Sequence, residues 1–408
     1  MNAVATKPFP LAGVRVLDLG QFIAMPFCTL WLAWLGAEVI VVESRRRMTS
    51  RTAPPFAEGH GTDPNASGYF NFLYASKKSC TVDMTTAQGR EIVRRLAAKC
   101  DIVVDNFSTG VLEKLGIGYD TLSKLHPGII MCSNGAFGRT GPMRNARGLH
   151  SAVNLFSGVA DVTGYVDSHP RILGGVIPDP LSGTYGGFAV LAALHHFRKT
   201  GQGQFIDLAM YEAMMTLIPE AIIDYTLNGH EPERVGNRDK AKAPHGIYRC
   251  RDEDTWLALS ISDDAEFARF AKAIGHPDWA ANPLFATPAD RLANVGALDV
   301  MVEEWSREQD VHAAVDLLQG AAIAAGPVLR IDELLDDDQL NARELVFETD
   351  HPLVGKKRQL GLPWRMDSFG MDYRPAPFLG EHTRETLMTL LGMDAATFAK
   401  LEADGVLA

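Results

Sequence analysis

The segment Gly174-Gly175-Val176-Ile177-Pro178-Asp179-Pro180-Leu181-Ser182-Gly183-Thr184-Tyr185-Gly186-Gly187 concentrates the residue types from which a carboxylate nucleophile is built. Asp179 stands just before an apolar helical run and Pro180 follows at once, the favoured order for a helix N-cap and first helical position. Many aspartates in that order do nothing more than cap. The same geometry also suits covalent catalysis. A carboxylate at a helix N-terminus is kept ionised by the dipole and free N–H groups, and the ionised form is the one that attacks an acyl carbon. Gly174, Gly175, Ser182, Gly183, Gly186 and Gly187 would let a bulky ligand and neighbouring backbone come close. The local sequence leaves cap and nucleophile both open.

Other chemistries lack their residues. The turn Leu19-Gly20-Gln21-Phe22 has none of the glycine spacing that brings backbone against a pyrophosphate. Phosphate-loop, zinc-protease and serine-hydrolase motifs are missing too. His195 and His196 are adjacent, and adjacent helical residues point about 100° apart, so they do not chelate together. The five cysteines have no metal-ligand spacing, and an odd number without a framework reads as reduced thiols in the cytosol. Neither a metal nor a redox cofactor is expected.

The elements that must position Asp179 are legible as alternating periods. Val14–Leu19, Glu38–Glu43, Ser79–Asp83, Asp101–Val104 and Gly128–Ser133 read as strands. Helical segments at Met25–Leu35, Thr86–Lys99 and Gly110–Leu115 separate them. That alternation predicts βαβ units and a mainly parallel sheet. Asp179–Lys199 reads as a long helix, Phe205–Leu208 as a strand and Tyr211–Leu227 as a helix. A charged, Gly/Pro-rich passage from 228 to 244 then suggests a linker. Beyond it, a hairpin at Gly246–Cys250 and Trp256–Ser260 and helices at Ala265–Gly275, Val295–Arg307 and Val311–Gly320 suggest a smaller α+β domain. An acidic helix, Ile331–Asp338, leads back out. We expect a large domain over 1–225 and 340–408, with 226–339 forming a small domain and its linkers.

The chain has 408 residues, 46% hydrophobic and 22% charged, with a formal net charge of −11. An acidic protein of this kind lacks the basic field needed to hold nucleic acid or a membrane surface. The apolar run Phe22–Ala37 is too short to span a bilayer and contains Pro26, so it reads as a buried helix. Met1–Pro10 lacks the pattern of a signal peptide. A cytoplasmic location is expected.

The run Gly175–Gln204, ending Leu191-Ala192-Ala193-Leu194-His195-His196-Phe197-Arg198-Lys199-Thr200-Gly201-Gln202-Gly203-Gln204, closely resembles the signature of class III CoA-transferases. That family includes formyl-CoA, carnitine and benzylsuccinate CoA-transferases and the α-methylacyl-CoA racemases. Leu11–Asp18, Leu35–Ile40, Lys77-Lys78-Ser79, Asp105-Asn106-Phe107, Gly110–Tyr119, Gly326-Pro327-Val328 and His351-Pro352 match in the same order. The resemblance implies a Rossmann-like large domain formed by both chain ends, an inserted smaller domain and an interlocked homodimer. It implies Asp179 as the nucleophile that forms a mixed anhydride and then an aspartyl-CoA thioester, with coenzyme A as substrate. Lys77 and Lys78 correspond to the family's basic pair, Asn106 and Phe107 to its Asn-Phe, and Lys114 to a frequent Arg. These residues, with Arg45 of the run Arg45-Arg46-Arg47, are expected to hold CoA. Gln21 is expected near the oxyanion.

Two departures stand out. The racemases place a histidine and then an aspartate after the glycine matching Gly148, and here Leu149 and His150 stand instead. His150 is thus a candidate for the acyl pocket. Some transferases have a glycine-rich lid where Gly236-Asn237-Arg238-Asp239-Lys240 is charged. The expected activity is transfer of CoA from an acyl-CoA, with succinyl-CoA as the donor to try first, to a carboxylic acid. The alternatives are an acyl-CoA racemase or epimerase, and one subunit of a heteromeric transferase.

Overall fold

A computed structural model describes residues 7–408. The described chain divides into two compact units, one of residues 7–160, 172–228 and 342–408, the other of 161–171 and 229–341. The segment 161–171 groups with the second unit rather than with its neighbours in sequence.

The first unit is built on a six-stranded parallel sheet of β1 (Arg15–Asp18), β2 (Glu38–Glu43), β3 (Lys78–Thr81), β4 (Ile102–Asp105), β5 (Ile130–Gly135) and β6 (Gln204–Ala209). The order is β3-β2-β1-β4-β5-β6. The chain therefore reverses its direction of travel between β1 and β4, and in open α/β sheets the ligand crevice lies at that switch, beyond the carboxyl ends of the strands. Strands as apolar as Glu38-Val39-Ile40-Val41-Val42-Glu43 are buried on both faces, as a parallel sheet covered by helices requires.

The crossovers carry α1 (Ala24–Trp34), α2 (Gly68–Leu73), α3 (Ala87–Ala97), α4 (Val111–Lys114), α5 (Tyr119–Leu125), α6 (His150–Phe156), α7 (Val159–Val162) and α8 (Pro178–Thr200). Nine of the eleven residues of α1 are buried, which accounts for the apolar run read as a buried helix. It packs on α8, and both share a core with β1, β2, β4 and β5 through Val16, Val39, Val41, Val104, Cys132, Val190 and Leu194. On the other face α3 covers Leu17, Ile40, Val103 and Met131 with Ile92, Val93 and Leu96. Thr86 caps α3 by accepting from Gly89 N–H at 2.9 Å.

Two predicted helices are broken. Tyr211–Leu227 becomes Met210–Met215 and Pro219–Asn228, because Pro219 has no N–H to continue a ladder and disfavours helix in the residue before it. The acidic stretch Ile331–Asp338 folds as Ile331–Leu334 and Asp338–Ala342. Within the second unit, β7 (His245–Arg249), β8 (Trp256–Ser260) and β9 (Ala324–Pro327) form an antiparallel sheet. Helices Asp264–Ala273, Val295–Ser306 and Val311–Gly320 supply Phe267, Phe270, Leu298, Val302 and Leu318 to its core.

Candidate active site

Helix α8 starts at Pro178, so Asp179 lies inside its first turn rather than at the N-cap, which is Ile177. The expected helix, Asp179–Lys199, starts one residue too late. Proline is tolerated throughout a first turn because those N–H groups have no intrahelical acceptor, so Pro178 and Pro180 both fit. Asp179 makes no cap hydrogen bond to its own helix. The backbone N–H of Ala24, the first residue of α1, acts on its carboxylate and pulls its pKa down.

That effect depends on how closely the two helices pack. A Cβ on Gly183 would lie 2.4 Å from the Ala24 carbonyl oxygen and 3.2 Å from Cys28 N, so only glycine permits the approach. Two helix N-termini thereby converge on one carboxylate. β5 anchors the same turn: Asn134 Nδ2 donates to Ser182 Oγ at 3.1 Å, and Ser182 donates to the Asp179 carbonyl at 3.0 Å.

Asp179 is 9% exposed, and its Oδ2 is buried with no hydrogen-bond partner. Burial lifts its pKa from 3.8 to about 6, against the opposing pull of His150 and of the Ala24 N–H. The dipole was expected to keep this carboxylate ionised, and desolvation works against it. The group is still mostly ionised at neutral pH, yet weakly solvated, a state suited to nucleophilic attack. His150, the first residue of α6, brings Nδ1 to 3.9 Å from Oδ2 while staying partly exposed. Tyr69 of α2 also faces the site. Its hydroxyl pKa is raised by burial and then by the Asp179 charge.

The switch between β1 and β4 is bridged. Gln21 N–H donates to Asn106 Oδ1 at 2.7 Å, and Asn106 Nδ2 returns a bond to Gln21 O at 2.8 Å. Gln21 Oε1 accepts from the Thr49 hydroxyl. Gln21 and Asn106 are thus brought together, and their side chains brace the turn that leads into α1. Phe107 is half-buried against the core under α3.

The basic residues divide. Lys77 is fully buried, and its ammonium donates to Thr29 Oγ1 at 2.7 Å, Pro26 O at 2.8 Å and Asp18 Oδ2 at 3.1 Å. An ammonium has three N–H donors, so Lys77 keeps none for a phosphate and fixes the β1–α1 connection instead. Lys78 bridges Glu38 at 3.1 Å and Glu385 at 2.9 Å. Arg45 is exposed and reaches Leu379 O at 3.3 Å, Arg46 pairs with Asp83 at 3.1 Å, and Lys114 is exposed at the end of α4. Arg47 borders a shallow recess lined by Gly20, Gln21, Thr49 and Tyr74.

Asn134, Tyr69 and Arg139 were not singled out from sequence. Arg139 reaches buried Asp105, at the end of β4, at 2.6 Å, and its Nε is buried without a partner. Nothing local marks any of the three, since each gains its place from a contact distant in sequence. Among the described residues no group of three His, Cys, Asp or Glu side chains gathers as metal ligands, and no helix is long and apolar enough to cross a membrane.

Comparison with known proteins adds an independent line. The model of CoA-transferase family III matches residues 11–383. Succinyl-CoA--D-citramalate CoA-transferase of Chloroflexus aurantiacus is 34% identical over 403 residues, covering 98% of each chain. Succinyl-CoA:mesaconate CoA-transferase of Haloarcula marismortui is 32% identical, covering 97% of this chain and 99% of its own. A crystal structure of a CAIB/BAIF family protein from Brucella suis superposes with a TM-score of 0.86 at 31% identity, covering 94% of this chain and all of its own.

Proposed function

Because this chain belongs to CoA-transferase family III and is an enzyme that transfers coenzyme A, we propose that it moves CoA from succinyl-CoA to a small carboxylic acid through a thioester on Asp179. The observation that carries this reading is the Asp179 carboxylate, buried at two helix N-termini with one oxygen unbonded. The names of the Chloroflexus and Haloarcula relatives support succinyl-CoA as donor and branched or unsaturated dicarboxylic acids as acceptors.

The steps balance without any net proton transfer. An Asp179 oxygen attacks the thioester carbon; the C–S bond breaks and CoA thiolate leaves a mixed anhydride. The thiolate then attacks the Asp179 acyl carbon, forming aspartyl-CoA and releasing the donor acid as its carboxylate. The acceptor carboxylate attacks aspartyl-CoA, expelling thiolate, and thiolate attack on the acceptor acyl carbon regenerates the Asp179 carboxylate. Splitting the transfer in this way is nucleophilic catalysis. The Ala24 N–H, already directed at the carboxylate, is a candidate donor to the oxyanions.

In this reading the nucleotide end of CoA lies along the carboxyl edge of β1, β2 and β4, near Arg45, Arg47, Asn106, Phe107 and Lys114, whereas Lys78, paired with Glu38 at the amino ends of the strands, takes no part. The protein acts as a homodimer in the cytoplasm. Helix Pro219–Asn228 buries none of its residues, and it exposes Ile222, Ile223, Tyr225 and Leu227, apolar area that a second copy would cover. Five buried free thiols suit a reducing compartment.

Incubation with succinyl-CoA and no acceptor tests the chemistry. CoA should become attached, visible by intact mass, released by hydroxylamine and mapped to a peptide containing Asp179. An adduct on Cys28 or Cys132, or deuterium wash-in at the α-carbon of a chiral acyl-CoA without transfer, would overturn it.

A further inference from the structure

We propose that His150 is the anchor for the reacting carboxylate of the acid substrate, taking up the acid when CoA occupies Asp179. The inference rests on the transferase reading above and gives a role to a side chain which that reading leaves unused.

The geometry is specific. His150 Nδ1 stands 3.9 Å from Asp179 Oδ2, beyond the 2.7–3.2 Å of a hydrogen bond but within reach of its charge. That oxygen has no other partner. The imidazole is 37% exposed on its side chain and the carboxylate 12%, so His150 lies between solvent and the nucleophile. Of the side chains that act on the Asp179 charge, His150 favours the ionised form, and the other favourable group is the backbone N–H of Ala24.

One negative charge passes through this site during the cycle. It begins on Asp179, moves to CoA thiolate as the anhydride forms, and leaves on the donor acid. In the aspartyl-CoA state Asp179 is a neutral thioester, and the imidazole has lost the anion it faced. At that moment the acceptor carboxylate must come within bonding distance of the Asp179 acyl carbon, forming a C–O bond as the C–S bond breaks. An N–H donor about 4 Å from the former carboxylate oxygen is placed to hold a second carboxylate there. An imidazole donates an N–H whether or not it is protonated, so the role does not require a particular charge state. By reversibility, His150 holds the donor acid just before it departs.

The test separates the two substrates. His150→Ala at the first position of α6 removes the donor without opening the core, and His150→Gln restores an N–H donor. Each variant is charged with succinyl-CoA and discharged by mesaconate in single turnovers read by intact mass. The alanine variant should still form aspartyl-CoA, more slowly because the donor acid also departs past His150, with acyl-CoA half-saturation within about 2-fold. Its half-saturation for the acid should rise about 10- to 100-fold, the size of one charge-assisted hydrogen bond. The glutamine variant should fall between the two. A general loss of fold moves both substrates alike, whereas loss of the anchor moves the acid alone. An unchanged acid half-saturation, or an equal rise for acyl-CoA, overturns the role of His150. Failure of the wild type to form any adduct overturns the transferase chemistry instead.

Discussion

Asp179→Asn is expected to stop transfer while making the protein more stable above neutral pH. The folded carboxylate has a pKa of about 6 against 3.8 for a free aspartate, chiefly through burial. Folding therefore favours the protonated form. The stabilisation from that proton is full below pH 3.8 and is lost as pH rises through 6. Above pH 7 the ionised group costs the fold about 3 kcal/mol, at about 1.4 kcal/mol for each pH unit between the two values. Asparagine is neutral throughout, and its carbonyl can still accept from Ala24 N–H. Its unpartnered amide at the Oδ2 position takes back about 1–2 kcal/mol of that gain, leaving about 1–2 kcal/mol. Unfolding entropy for 408 residues makes this about 1 °C per kcal/mol, a rise of roughly 1–2 °C. The assay is paired thermal melts of wild type and variant between pH 5 and 8. The gap should shrink to near zero at pH 5 and be level above pH 7. An aspartate that served only its helix dipole gives the opposite sign, a loss of about 0.3–1 kcal/mol on neutralisation. A variant less stable than wild type at pH 8, or a gap that ignores pH between 5 and 7, would refute the argument.

Lys77→Met leaves the fully buried Asp18 carboxylate without its cation and should cost about 3–5 kcal/mol in urea melts, with the KM for acyl-CoA within about 2-fold. A large rise in that KM with stability intact would return Lys77 to the phosphate site. Gly183→Ala drives a methyl group to 2.4 Å from the Ala24 carbonyl, so α1 and α8 must part. It should lose about 1–3 kcal/mol and most of kcat, and a fully active alanine variant would show that the Ala24 N–H is not needed at Asp179. Sedimentation at micromolar concentration should show a dimer, and a stable, active monomer would disprove that assembly.

Local period and cap chemistry made the scaffold readable. β2 follows Glu38–Glu43 to the residue, and α8 exceeds the expected Asp179–Lys199 by one residue at each end. Tyr211–Leu227 is misread because Pro219 outweighs an apolar pattern, whereas the acidic Ile331–Asp338 breaks with no proline in it. The site was legible only as a position in the chain. Lys77 and Lys78 look alike in sequence, yet one is sealed against Asp18, 59 residues away, and the other faces Glu38 and Glu385. Successive side chains at a strand point to opposite faces, so a register one residue different exchanges their fates. Tyr69 of α2 and His150 of α6 reach Asp179, and Asn134 of β5 reaches its helix turn at Ser182, from separate parts of the chain, and no local pattern encodes such a meeting.

The strand order explains why no glycine-rich fingerprint is needed. In sheets of this order the N-terminus of the helix after β1 faces the switch point and holds a pyrophosphate on its free N–H groups. Here the switch is occupied by the reciprocal bonds of Gln21 and Asn106. Gly20, where a Cβ would strike Asp18, Met25 and Pro26 at 2.8–2.9 Å, turns the chain tightly into α1. The Lys77–Asp18–Thr29 cluster then locks that helix from beneath. The positive end of α1 is thereby directed at a carboxylate supplied by α8 instead of at a phosphate. A fold that elsewhere grips a nucleotide without a covalent bond has this anion site filled by one of its own carboxylates. In the proposed reaction CoA is retained between half-reactions by a covalent bond at Asp179, so the exposed basic residues need only guide it there.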